Sequence, residues 1–128
     1  MCRTILACFI LIAFLPGCTR DEAVQCQNCT AISFKTDIIP IFQVYCTAGC
    51  HTGPPVSAKG HISLDSAIAY SQATEPGTGY VNAYDPGNSI LYSGLLAGNS
   101  LHMPVGSQLD PCTIQKVYCW INQGALNN

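Results

Sequence analysis

Charge is what this sequence has least of. Among 128 residues only five are Lys or Arg and seven are Asp or Glu, 9% where an average soluble protein carries about 25%. A formal net charge of −2 offers no basic stripe, which excludes nucleic-acid binding through phosphate contacts. Disorder is excluded too, because 48% hydrophobic content with so few charges points to a packed core. No useful stretch alternates apolar and polar residues, so nothing signals a half-buried strand. No apolar run reaches the roughly 20 residues that a membrane-spanning helix needs. Methionine and tryptophan are scarce, at two and one. Cysteine is the opposite: there are nine, too many for a reducing cytosol and odd in number.

The N-terminus accounts for part of that excess. Arg3 precedes an unbroken apolar run from Ile5 to Leu15, which has the length of the core of a secretory signal. Leu15-Pro16-Gly17-Cys18 follows and resembles a bacterial lipobox, with Pro16 where a small or β-branched residue is usual. Cleavage before Cys18 would remove residues 1–17 as a signal peptide and leave that thiol to carry lipid. Residues 18–33 then read as a lipid-anchored tether with cysteines, and 34–128 as one domain. The expected location is the cell envelope, periplasm-facing or as an outer-membrane lipoprotein. Its expected membrane contact is through the N-terminal lipid anchor.

The body reads as all-α, with short helices and long loops. Thr36-Asp37 looks like a helix start with Pro40 in the first turn, and Ile38, Ile41, Phe42 and Tyr45 form one apolar face. Leu64 to Ala73 can form a second, short helix. Asp85-Pro86-Gly87-Asn88 is a turn, after which Ser89 is expected to cap a helix that Gly98 ends. The clearest helix follows Asp110, a good N-cap, with Pro111 at its first position. Ile114, Val117, Tyr118 and Ile121 make its stripe, Trp120 joins them, and Gly124 closes it. Loops this long suit a small core only if something fills the middle.

Cys46-Thr47-Ala48-Gly49-Cys50-His51 suggests what that could be. Two thiols followed at once by histidine is the pattern for covalent haem attachment, although the common spacing has two residues between the cysteines and this one has three. Two other readings stand beside it: a local Cys46–Cys50 disulfide next to a surface histidine, and a zinc site with His51 that lacks a fourth ligand. Met103 is the sole methionine beyond the signal, in the irregular stretch Leu101-His102-Met103-Pro104-Val105-Gly106. His61, in a loop, reads as a surface residue.

With Thr36 to Phe42, His51-Thr52-Gly53, Gly60 to Leu64, Pro86 to Tyr92, Met103-Pro104 and Trp120 to Ala125 in this order, the chain from about Phe34 to Asn128 resembles small periplasmic monohaem cytochromes c and the cytochrome-c-like domains of bacterial lipoproteins. The resemblance implies a cytochrome c-like fold around one covalent haem c. In it Cys46 and Cys50 would carry the thioethers, His51 would be the proximal iron ligand and Met103 the distal one, with His102 its rival. Phe42, Tyr45, Leu64, Leu91, Pro104 and Ile114 would line the pocket, and the first and last helices would cross near Phe42 and Trp120. The implied function is one-electron transfer to redox partner proteins, by a carrier rather than an enzyme. The alternative is a haem-free, disulfide-stapled lipoprotein domain acting as a binding or structural module, with Cys46 bonded to Cys50.

Four cysteines are left. Cys112 and Cys119 lie about 10.5 Å apart along a helix and cannot bond to each other. An extended Cys26–Cys29 segment covers about 10 Å and could meet both. The resemblance favours Cys29–Cys112, which leaves Cys26–Cys119.

Overall fold

The computed structural model describes Cys26 and residues 28–128; the signal sequence and Cys18 lie outside the described residues. Among the described residues every regular element is helical and there is no strand. The first, α1, covers residues 34–46 as three consecutive pieces, Phe34–Ile38, Ile39–Ile41 and Phe42–Cys46. It starts before Thr36 because Ser33 caps it. The Ser33 hydroxyl accepts from the Thr36 N–H at 3.3 Å, while the Asp37 carboxylate accepts from the Ser33 N–H at 2.9 Å, a reciprocal arrangement that satisfies two orphan donors. Pro40 therefore sits inside the helix. Its missing N–H and its ring forbid a regular α-turn there, and widened turns flank it, with Ile39 N–H donating to the Phe34 carbonyl and Thr47 N–H to that of Phe42.

The second helix, α2, is only Ala69–Ala73, shorter than the expected run from Leu64. Leu64 is buried, and the Asp65 carbonyl accepts from the N–H groups of Ile68 and Ala69, which makes a turn of the intervening residues. The third, α3, is Ile90–Leu95. Ser89 stands at its N-cap position but does not cap it. Its buried hydroxyl accepts from Asn82 N–H at 2.8 Å and donates to the Asp85 carbonyl at 2.8 Å, clamping the preceding turn instead.

The last helix, α4 (Pro111–Asn122), follows the sequence reading: the Asp110 carboxylate accepts from the N–H groups of Cys112 and Thr113, both at 3.0 Å. Gly124 ends it with φ +102°. A Cβ at that position would stand 2.5 Å from Cζ of Tyr84, so only glycine fits.

Val117, Trp120 and Ile121 of α4 are fully buried against α1 and α2. The contact with α1 is made through its first piece rather than at Phe42 alone. The ring of Phe34 lies 5.1 Å from Trp120, 5.2 Å from Tyr70 and 6.0 Å from Phe42, joining three helices in one aromatic cluster. Burying each such ring contributes on the order of 2–3 kcal/mol.

Two disulfides fasten the incoming chain to α4, Cys26–Cys112 and Cys29–Cys119, with Cα atoms 4.9 and 5.0 Å apart. The cysteines are the four expected, but each is paired with the other partner. The reason is direction. After the two bridges, Ile32 N–H donates to the Gln123 side chain and Lys35 N–H to the Asn128 carbonyl. The segment thus runs parallel to α4, and the expected pairing would require it to run the other way.

Candidate functional site

Between the end of α1, the loop that follows it, α3 and the stretch around Met103 lies a cavity of about 470 Å³. This is within the range of small-molecule pockets, roughly 300–1,000 Å³. Tyr45, Cys46, Cys50, His51, Leu64, Leu91, Met103 and Pro104 all line it. Two expected pocket residues do not. Phe42 is buried in the aromatic cluster instead, and Ile114 packs on the core from α4. Ile62, Ala73, Tyr80, Ile90, Leu95 and Leu101 also line the cavity, beyond the residues expected from the sequence. Leu95 stands one helical turn from Leu91 on α3, and that spacing alone could have revealed it.

His51 is fixed from several sides. Its N–H donates to the Cys46 carbonyl at 3.0 Å and its own carbonyl accepts from Leu64 N–H at 2.8 Å. The ring Nδ1 faces the Ile62 carbonyl at 3.3 Å. A carbonyl can only accept, so the proton belongs on Nδ1 and Nε2 keeps its lone pair. The loop after His51 is held by Asp65, whose carboxylate accepts from Gly53 N–H and the Thr52 hydroxyl, both at 2.8 Å. These bonds, the backbone one foremost, hold Asp65 below the usual carboxylate range.

The two thiols are unbonded, so the Cys46–Cys50 disulfide expected of a haem-free domain is also corrected. Burial, and then the nearness of Cys50, push Cys46 up to about 11. At neutral pH it is a neutral, apolar wall group rather than a nucleophile. Tyr80 donates its hydroxyl to the Gly60 carbonyl at 3.0 Å. Met103 N–H donates to the Gly94 carbonyl at 2.7 Å and holds that side chain at the rim. His102, expected as its rival, faces the Gln108 side-chain oxygen at 2.8 Å and does not line the cavity. His61 is exposed, as read from the sequence.

The expectation of an electron-carrying monohaem cytochrome is corrected. Among the described residues no three His, Cys, Asp or Glu side chains converge as a metal site requires. The thiol-to-thiol spacing is not that of the common haem-attachment motif. What the cysteines do build is the pair of staples on α4. Haem, iron and electron transfer are left without support, and the disulfide-stapled domain is the better description. Nor do the comparisons supply a family: no family model, no curated protein and no solved structure matches the chain.

Proposed function

We propose that the protein is a disulfide-stapled, lipid-anchored module of the cell envelope that binds a small apolar molecule in the cavity beside His51. The observation that carries this reading is the cavity itself. Ile62, Leu64, Leu91 and Leu95 line it together with the buried Cys46 thiol and Cys50, in a domain with hardly any charge. Such a surface rejects ions and hydrophilic solutes, because none would recover its hydration on entering. It favours a slender or flat apolar ligand. With Nδ1 facing the Ile62 carbonyl, Nε2 of the wall residue His51 is left to accept from a single hydroxyl or N–H on the ligand.

The lipid anchor rests on the run from Ile5 to Leu15 followed by Cys18, and envelope export fits a domain held by two disulfides. Titration with the uncharged fluorophore N-phenyl-1-naphthylamine tests the binding reading. Saturable binding at one site is expected, with a loss of tenfold or more in Leu91→Trp, where the indole fills the cavity, on the order of 1.4 kcal/mol. Equal binding by both proteins, with both folded by circular dichroism, would remove the cavity from the account.

A further inference from the structure

The 24 residues between Asp85 and Asp110 contain no Asp, Glu, Lys or Arg. At the usual frequency they would hold about six. The same segment supplies the exposed apolar rim of the cavity. Leu101 is 61% and Val105 82% exposed, Ile90 and Met103 are exposed beside them, and all four line the cavity mouth. Scattered exposed apolar residues need no explanation, but a contiguous uncharged group of them around an opening does.

We propose that this rim is a bilayer-facing surface, on which the domain rests with its cavity opening onto the lipid. The inference takes its tether from the lipid-anchor reading but does not depend on any ligand in the cavity. Three observations favour lipid as the occupant. First, Cys26 lies eight residue steps beyond Cys18, at most about 28 Å when extended, so an acylated Cys18 keeps the domain close to the membrane. Second, that tether ends at the Cys26–Cys112 disulfide, three residues past Leu109 and therefore directly beside the uncharged segment in the chain. The tether is thus tied to the first turn of α4, where the uncharged segment of the chain ends. Third, a rim without charge loses no ionic hydration on entering the interface, and each apolar group buried there adds to the hold of the lipid anchor. Ligand would then enter from the hydrocarbon side without crossing water.

The test uses the full chain, lipidated and reconstituted in phosphatidylcholine vesicles whose acyl chains carry bromine, a quencher of tryptophan. Trp120 is the sole native tryptophan and is fully buried. Val105→Trp and Leu101→Trp each place a reporter on the rim, and Val56→Trp places a control reporter at an equally exposed valine that does not line the cavity. Quenching of the rim reporters at least about twofold stronger than that of the control reporter, and unchanged between low and high salt, is the expected result. Equal quenching at all three positions would overturn the proposal. So would rim reporters that respond to aqueous iodide but not to bromolipid, or a blue shift that grows with protein density without bromine quenching, which would mark a second copy as the occupant. Rim quenching together with no dye binding would leave this proposal standing and remove only the ligand reading.

Discussion

At the scale of single residues, the cavity wall is defined by what its polar groups are prevented from doing. Tyr80 has its hydroxyl committed to Gly60, His51 has Nδ1 committed to Ile62, and Cys46 is held neutral by burial. With a thiol near 11, roughly one molecule in a thousand carries the Cys46 thiolate at pH 8. Peptide-resolved alkylation should therefore be slow at Cys46 at pH 8 and should keep accelerating about tenfold per pH unit towards pH 11. A rate that levels off near pH 9 would contradict the burial argument. Gly124 makes a second test. Gly124→Ala forces a side chain into a positive-φ position against the Tyr84 ring. It should cost on the order of 1–3 kcal/mol in chemical denaturation, and shortening Tyr84 as well should recover part of that loss.

At the scale of elements, the helices are short and their ends matter more than their middles. Asp110 shows this for α4. The Thr113 hydroxyl, then the N–H groups of Thr113 and Cys112, hold its carboxyl below the usual range. Its folded-state value is thus lower than its unfolded one. The stabilisation is fully present above the unfolded value and is lost as pH falls through the folded value. Acid titration of unfolding should show that loss, and Asp110→Ala should lower stability at neutral pH while flattening the acid limb. Asp65, held low by Gly53 and Thr52, acts in the same direction on the loop after His51.

The α4 cap was legible in the sequence because Asp-Pro is a local signal that tertiary contacts do not override. The start of α1 and the cap of α3 were not. Ser33 and Thr36-Asp37 both carry capping side chains, and only the docking of Ser33 and Lys35 against Asn128 selects the earlier start. Ser89 has the right residue type, but its hydroxyl is taken by the turn before it. The four cysteines of the staples were legible from helical rise and chain reach alone. Their pairing depends on the direction in which the incoming segment runs, which no local residue encodes.

At the scale of the whole molecule, two staples close loops of sequence separation 86 and 90 and hold a domain whose middle is a cavity. Replacing Cys26 and Cys112 together by serine should cost about 2–4 kcal/mol by chain entropy, read as a lowered denaturation midpoint, with Cys29–Cys119 still closed. The residues around the cavity were legible from the sequence as a group, because Cys46, Cys50, His51, Leu64, Leu91 and Met103 all converge there. The function inferred from them was not, since a resemblance of motifs specifies neither the donor geometry nor what the cavity admits.

The most direct measurement is intact-mass and peptide analysis of the protein recovered from the envelope of cells that also contain haem-attachment machinery. Closed Cys26–Cys112 and Cys29–Cys119 bridges are expected, with free thiols at Cys46 and Cys50 that take two alkyl groups after unfolding. A mass raised by one haem, with Cys46 and Cys50 both blocked as thioethers, would contradict it.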